Sequence, residues 1–430
     1  MKQHNKPKTS LRMAGFIKSG YFRDIVNQAG LVIIAQLIPV ILSPILSRIY
    51  DEKAIAEITG LMAFSSLLIV FSTLKLENAI VVEKEDRKAR QLVVLSAMVA
   101  LFFTIFTMLL VLVLKPYIIN SFEIQNVVYY VPLYILFFAL LNILNFWFVR
   151  IKKFKVKAYS KIIENVSYVG FAIALYYMVG NNEYGLAAGK IIGVGIALSI
   201  LLIISKIKLK RYSWASHKKL LKDYREYPLH YAPSSFVNVI GLQILVIFIG
   251  TFFTKEELGY FGLANMVILL PIAFITQSVG SIFFQKTSEH INEGNGKQAK
   301  KVFYQTLGML TIIAIPAFLF LYFGSTYLFP VIFGSNWVVT GIIAKLLAVV
   351  FLSQIIVGPI SIVLISLGKI KLNAIWQYGR FIVMTLYMLS LVYIFKMDFL
   401  EFIEWYAYGA ATIYLFYFLI INGEIRKLGK

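Results

Sequence analysis

Residues 47–82, SRIYDEKAIAEITGLMAFSSLLIVFSTLKLENAIVV, contain an apolar segment of roughly 20 residues between two charged clusters. One cluster occupies residues 48–53, and the other occupies residues 75–90. An α-helix of this length crosses the hydrocarbon core of a bilayer. The stretch therefore predicts a membrane-spanning helix together with both of its water-facing ends.

The composition of the whole chain agrees with this interpretation. Of its 430 residues, 59% are hydrophobic and 15% are charged, whereas soluble domains carry about 25% charged residues. A net charge of +21 would favour nucleic-acid binding in a soluble protein. Here apolar segments separate the basic clusters, so we expect basic loops on the cytoplasmic side of a membrane and no nucleic-acid partner.

Sequence motifs for catalysis are missing. The chain has no cysteine, which excludes a disulfide framework and a cysteine metal site. We find no phosphate-binding GxxxxGK[ST], no HExxH and no GxSxG pattern. We therefore expect no metal, no cofactor and no enzymatic activity.

Apolar runs of spanning length recur along the chain and predict twelve transmembrane helices. The run at 337–367 is long enough to be tilted, kinked at Pro359 or extended past the bilayer. The predicted spans are 26–47, 55–75, 92–114, 126–149, 159–179, 184–205, 230–253, 259–284, 302–324, 337–367, 373–395 and 400–422.

Loop charges predict the orientation. When alternate loops are assigned to opposite sides, one side receives 34 Lys and Arg residues, the other receives five, and three lie inside spans. Because basic loops stay in the cytoplasm, both termini are predicted to be cytoplasmic.

A basic linker divides the chain into two halves of six spans each. The segments DEKAIAEITGLM (51–62) and KEELGYFGLANM (255–266) are similar, which favours a duplication with a pseudo-two-fold axis along the membrane normal. The alternative is that any helix start shows acidic residues before apolar ones. The predicted units are a basic tail (1–24), an amino-terminal bundle (25–205), the linker (206–228), a carboxyl-terminal bundle (229–422) and a tail (423–430).

Three basic residues inside the spans are the first candidate site residues, because charges at membrane depth are costly. Lys190 and Lys345 lie about two turns from the external ends of their spans, and Arg380 lies about two turns from a cytoplasmic end. Asn373, Gln377 and Arg380 share one helix face. We interpret them as a cationic cavity for an anionic substrate; the alternatives are snorkelling and helix packing.

Two acidic residues are candidates for a coupling-ion site. Glu164 lies in the fifth predicted span, where pairing with Lys161 or Arg150 is the structural alternative. Glu77 lies at the inner end of the second span, where a partner on another helix would hold it.

The stretch SRIYDEKAIAEITGLMAFSSLL followed by LKLENAIVV resembles the amino-terminal signature of Wzx-type polysaccharide (O-antigen) flippases. YREYPLHYAPSSFVNVIG, TKEELGYFGLANMVILLP and SVGSIFFQK resemble the second-half pattern of the same family. One departure is Ala56-Glu57, where the family pattern has a Phe-Gly-like pair.

This resemblance implies membership of the multidrug/oligosaccharidyl-lipid/polysaccharide exporter superfamily. It implies two six-helix bundles forming a V around a central cavity, with alternating access. The implied substrate is an undecaprenyl-pyrophosphate-linked oligosaccharide, moved to the periplasmic leaflet of a bacterial inner membrane. Arg48 and Glu77 are the motif positions, and Arg48 joins Lys190, Lys345 and Arg380 among the predicted residues of the cationic cavity. Further implied partners are membrane lipids and a polymerase of the same glycan pathway, and a monomer is expected.

The sequence is also compatible with three other classes of membrane protein. A multidrug exporter of the same superfamily is one alternative, although cation exporters should line their cavity with carboxylates. A membrane glycosyl polymerase or ligase is another, although the external loops here are short. A scaffold or a channel without transport coupling is a third.

Overall fold

The computed structural model describes residues 37–125, 127–180, 184–207 and 212–428, which form α-helices joined by short turns. The predicted tail at 1–24 and the start of the first predicted span lie outside these residues. The helices are α1 Leu37–Ile49, α2 Glu52–Ser72, α3 Glu77–Val82, α4 Asp86–Phe122, α5 Val131–Arg150, α6 Phe154–Val179, α7 Gly185–Ser205, α8 Trp214–Asp223, α9 Ala232–Phe252, α10 Lys255–Asn292, α11 Gly296–Phe333, α12 Val338–Ile360, α13 Val363–Ser366, α14 Ile370–Tyr393 and α15 Phe399–Arg426.

Local sequence explains where several helices begin. The Asp51 carboxylate accepts from the Ala54 amide at 2.9 Å and caps α2. Thr254 and Glu257 form a capping box at the start of α10, and an equivalent box opens α15. Such caps satisfy amides that the first helical turn leaves without partners.

The prediction of an all-helical membrane protein is confirmed. Among the described residues, eleven helices are long and apolar enough to cross a membrane, and α1 is a shorter apolar helix within the first predicted span. The run at 337–367 is interrupted next to Pro359, because α12 ends at Ile360 and α13 starts at Val363. Helices α4, α10 and α11 have 37, 38 and 38 residues; at 1.5 Å per residue they are about 55 Å long and extend beyond a core of about 30 Å.

Most helices of each half pack against helices of the same half, whereas α9 lies against α2 and α4 as well as α10 and α14. Following the predicted division, we call α1–α7 the amino-terminal bundle and α9–α15 the carboxyl-terminal bundle. Within the first bundle, α6 and α7 pack closely at two glycines of α7. A Cβ atom at Gly193 would lie 2.5 Å from the Glu164 carbonyl oxygen, and one at Gly189 would lie 2.9 Å from the Ala172 nitrogen. Small residues at this spacing permit close helix approach within membranes.

Helices α6 and α14 start with matching segments, which supports a duplication. Residues 153–158 read KFKVKA and residues 369–374 read KIKLNA. The preceding residues, Lys152 and Gly368, both have positive φ, at 57° and 69°. Glu164 and Arg380 each lie ten residues after the first residue of their helix. The two residues therefore occupy equivalent positions in the two halves.

The linker between the bundles is attached to the amino-terminal bundle. Gln91 on α4 donates to the Ser216 hydroxyl at 2.8 Å, and the Tyr224 hydroxyl donates to the Glu83 carboxylate at 2.5 Å. Burial raises the pKa of the Tyr224 hydroxyl, as does the bond to Glu83. Burial alone would raise the pKa of Glu83, but hydrogen bonds from the Glu85 amide and Tyr224 hold it below its ordinary value. The linker helix α8 therefore extends the first bundle.

Candidate functional site

The two bundles meet where α2 lies against α10. A Cβ atom at Gly259 would lie 2.0 Å from the Glu52 carbonyl oxygen, and one at Gly262 would lie 2.2 Å from the Thr59 hydroxyl. Only glycine allows so close an approach of the two backbones. We call this contact, with the ion pairs and the α1 contacts described next, the inter-bundle seam.

Ion pairs of two kinds cross the seam. Lys255 Nζ lies 2.5 Å from Glu57 Oε1, and the Glu57 side chain is fully buried. Lys53 Nζ lies 3.2 Å from Glu256 Oε1, and both of these side chains are more than 40% exposed. A buried pair depends strongly on both partners, whereas an exposed pair contributes little. Glu57 and Lys255 therefore dominate the electrostatics of the seam.

The Ser47–Arg48 segment at the end of α1 adds further contacts across the seam. The Ser47 hydroxyl donates to the Phe333 carbonyl at 2.9 Å, and Trp337 Nε1 donates to the Ser47 carbonyl at 2.8 Å. Arg48 Nη2 donates to the Val331 carbonyl at 3.0 Å from an exposed position. Arg48, a predicted cavity residue, thus contacts the last turn of α11.

Lys190 lies between α6 and α7. Its Nζ atom is 2.7 Å from Glu164 Oε1 and 5.3 Å from the centre of the Tyr168 ring. Lys161 Nζ lies 2.9 Å from the other Glu164 oxygen. Two lysines therefore hold one buried carboxylate. Arg150, the alternative partner named above for Glu164, instead donates to Asp86 at 2.8 Å.

Glu77 is the first residue of α3 and is 2% exposed. Its carboxylate accepts from the Thr73 hydroxyl and, at 3.3 Å, from the Asn142 amide on α5. The partner on another helix is thus Asn142. Among the described residues, Glu77 forms no ion pair with a Lys, Arg or His side chain. Neutral donors around a buried carboxylate leave room for a proton or a small cation to compensate its charge.

The polar face of α14 that carries Asn373, Gln377 and Arg380 lies partly against α15. Asn373 accepts from the Tyr417 hydroxyl at 2.7 Å. Arg380 Nη1 donates to the Tyr414 hydroxyl at 3.2 Å. Gln377 is exposed. In the described chain, Arg380 has no carboxylate within ion-pair distance.

Lys345 on α12 has an aromatic neighbour. Its Nζ atom lies 5.1 Å from the centre of the Tyr322 ring on α11, and the residue is half-buried. No ion pair of Lys345 is found in the described chain. A cation over a tyrosine ring is stabilised by about 0.5–2 kcal/mol.

The four predicted cationic residues thus contact four separate groups of residues. Sequence reasoning missed Lys255, Trp337 and Tyr414, and it did not place Glu57 among the candidate site residues. A signal for the seam was present, because the related segments 51–62 and 255–266 both begin with acidic and basic residues side by side. Charges of both signs at two helix starts allow the two starts to form ion pairs.

Two bundles of membrane-length helices that meet at a polar seam define a class of two-lobed membrane proteins. The fold is similar to that of the lipid II flippase MurJ in an inward closed conformation, with a TM-score of 0.69, 17% identity, and coverage of 92% of this chain and 86% of that chain. It is also similar to an inward-facing multidrug resistance MATE family transporter of the MOP superfamily, with a TM-score of 0.65, 13% identity, and coverage of 93% and 94%. At these identities the likeness shows the fold alone. The chain is thus a multi-pass, two-lobed membrane protein of this fold.

The chain belongs to the polysaccharide biosynthesis protein family, whose model matches residues 45–342. This finding confirms the family resemblance seen in the sequence. A curated relative is the teichuronic acid biosynthesis protein TuaB of Bacillus subtilis (strain 168), 25% identical over 333 residues. The match covers 73% of this chain and 64% of the relative, so the chain spans less than two thirds of that protein's length.

Proposed function

We propose that this protein is a flippase for a polyprenyl-pyrophosphate-linked oligosaccharide, such as an undecaprenyl-linked repeat unit used in O-antigen, capsule or exopolysaccharide synthesis. The seam carries the proposal, because a buried ion pair between Glu57 and Lys255, 2.5 Å apart, joins the two bundles there. Water can solvate both charges when the bundles separate, so the pair supports a closed and an open state. Family membership supports a substrate from polysaccharide synthesis.

The proposed orientation follows the loop charges. With 34 basic residues assigned to one side, both termini and the linker face the cytoplasm, and the seam lies at the periplasmic side of a bacterial inner membrane. The closed seam then corresponds to a state without access from outside. Opening the seam and closing the cytoplasmic side would complete the cycle.

Substrate charge accounts for the proposed binding residues. A pyrophosphate is strongly anionic, and Arg380 and Lys345 are cations whose named partners are tyrosines, not carboxylates. Lys190 and Arg48 hold other parts of the protein, and we propose that they contribute positive potential. Asn373 and Gln377 would hydrogen-bond sugar or phosphate oxygens when α14 and α15 separate.

Glu77 is the proposed coupling residue. It is buried at the cytoplasmic end of the first bundle, and the donors that it accepts from among the described residues are neutral. Protonation or Na⁺ binding would neutralise it during the cycle. Glu164, the other candidate, already has two lysines, so Glu77 is the better choice.

The test combines a deletion with an Arg380→Ala variant. Without the protein, lipid-linked repeat units should accumulate on the cytoplasmic leaflet, and surface glycan should be lost. Arg380→Ala should reach the membrane in normal amounts and still fail to restore surface glycan. Normal glycan export by the deletion strain would refute the function, and normal export by the variant would remove Arg380 from the site.

A multidrug exporter is the second candidate, favoured by similarity to the MATE fold. The two functions are separated by measuring the susceptibility of the deletion strain to cationic dyes. If the protein is a flippase, the deletion strain should lose surface glycan and keep its normal susceptibility to the dyes. If it is an exporter, the deletion strain should become more susceptible to the dyes and keep its surface glycan.

The partners of the flippase would be its lipid-linked glycan, the surrounding lipids and a polymerase of the same pathway, and we propose that it acts as a monomer.

A further inference from the structure

Helices α14 and α15 enclose an open groove of about 360 Å³. Apart from Arg380, the side chains that line it are apolar or aromatic, and they include Trp376, Val383, Ile413 and Phe416. Val383 and Phe416 are more than half exposed. The groove is therefore a hydrocarbon-lined site with one cation, accessible from outside the bundle.

Two hydrogen-bond donors in this groove are poorly satisfied. Arg380 donates to the neutral Tyr414 hydroxyl at 3.2 Å and, in the described chain, forms no ion pair. The indole N–H of Trp376 is buried and has no acceptor among the described residues. Trp376 and Arg380 lie four residues apart, so both project from one face of α14. Because buried donors normally have acceptors, these two donors suit an anionic oxygen. The Arg380 side chain meets such an oxygen in the groove, whereas the Trp376 N–H is covered in this state and is reached only when the indole turns toward the groove.

The depth of Arg380 in the membrane restricts which kind of lipid the groove can bind. It lies ten residues after the start of α14 and thirteen before its end, hence about 15 Å and about 20 Å from the two ends. Phospholipid phosphates lie at the interfaces, far from this depth. A guanidinium in the middle of the membrane matches a lipid whose phosphate is itself carried across.

Groove size restricts the lipid chain. A volume of 360 Å³ holds roughly a dozen groups the size of a water molecule. That is room for a short run of one hydrocarbon chain, corresponding to two or three isoprene units.

We propose that the α14–α15 groove binds the phosphate-proximal end of a polyprenyl chain, with Arg380 and Trp376 donating to a phosphate oxygen midway across the membrane. This inference rests on the proposed flippase function and assigns the lipid-phosphate subsite to the carboxyl-terminal bundle, separate from the seam. The sugars extend away from the groove, and the remaining isoprene units lie in the bilayer.

Gly379 offers a direct test, because it lines the groove and a Cβ atom there would have nothing within 4 Å. Gly379→Leu should fill the groove without disturbing the packing. The matched control is Gly308→Leu on α11, where a Cβ atom is also unobstructed and the residue is likewise exposed. Both variants should keep the thermal stability of the wild type.

The probe is a glycan-free polyprenyl phosphate with a diazirine in its first isoprene unit. It is added to the purified full chain in phosphatidylcholine nanodiscs, irradiated and mapped by peptide mass spectrometry. We expect crosslinks on α14 or α15. Gly379→Leu and Arg380→Leu should weaken binding by about tenfold to a hundredfold, and Gly308→Leu should match the wild type. Trp376→Phe should weaken binding less than Arg380→Leu, because it removes a neutral donor.

Crosslinks elsewhere, equal binding by all variants, or displacement by equimolar phosphatidylglycerol would each overturn the assignment. The outcome is separable from that of the proposed function. If deletion abolishes glycan export but Gly379→Leu binds and exports normally, the groove assignment fails alone. If the groove binds the probe as expected but the deletion strain exports glycan normally, the flippase function fails alone.

Discussion

Removing the lysine of the buried seam pair should open the seam. In Lys255→Met the Glu57 carboxylate, which is fully buried, stays in the closed seam without its lysine. Loss of one partner from a buried pair costs about 3–5 kcal/mol. In an open state water solvates Glu57, so the cost falls on the closed state. At 1.4 kcal/mol per factor of ten, the closed-to-open ratio should fall by roughly two to four orders of magnitude.

The exposed pair supplies the matched control. Lys53 and Glu256 have side chains that are 48% and 43% exposed, so Lys53→Met should change the closed-state free energy by about 0–1 kcal/mol. Glu57→Gln combined with Lys255→Met removes both charges and should recover part of the loss. A double-mutant cycle then gives the coupling energy of the pair.

Pulsed electron paramagnetic resonance can report the state of the seam. The chain contains no cysteine, so spin labels can be attached at Tyr117→Cys on α4 and Tyr327→Cys on α11, both 74% exposed. Lys255→Met should broaden the distance distribution and shift it to longer distances, while Lys53→Met should leave it unchanged. Indistinguishable distributions for these two variants would refute the seam as a gate.

Three further outcomes are expected. Gly193→Leu places a side chain against the backbone of α6, so the free energy of unfolding should fall by about 1–3 kcal/mol or more. The melting temperature in detergent should therefore drop, and an unchanged melting temperature would contradict the close packing of α6 and α7. Glu77→Gln keeps a polar contact with Asn142 but cannot ionise, so glycan transport should lose its dependence on a proton or Na⁺ gradient, and an intact dependence would exclude Glu77 from coupling. Tyr224→Phe removes the hydroxyl bound to Glu83, so trypsin should cleave the linker several-fold faster, and an unchanged cleavage rate would show that this bond does not hold it.

The sequence predicted the helical architecture well because hydrophobic length is a local property. Membrane-length apolar runs are confirmed along the described chain. The predicted helix starts were less accurate, since α14 begins at Ile370, three residues before its predicted start. As a result Arg380 lies nearer the middle of its helix than two turns from the end. Helix caps and preceding turns determine such boundaries, and apolar runs alone do not show them.

The candidate site was harder to predict because its contacts join distant parts of the chain. Glu164 and Lys190 were both identified as costly charges, but only the packing of α6 on α7 shows that they neutralise each other. Glu57 looked like an ordinary acidic residue near a helix start, whereas its lysine lies 198 positions away. The spacing of Asn373 and Arg380 predicted a common face, and α15 supplies the tyrosines that cover it.

The central claim is that this protein moves a lipid-linked oligosaccharide between leaflets. Its most direct test reconstitutes the purified chain in liposomes that contain a fluorescent polyprenyl-pyrophosphate oligosaccharide, with a membrane-impermeant quencher added outside. Because the reconstituted protein exchanges the lipid between leaflets, quenching should proceed beyond the outer-leaflet fraction with the wild type, and Arg380→Ala should slow it strongly. Quenching that stops at the outer-leaflet fraction, as in protein-free liposomes, would contradict the proposed function.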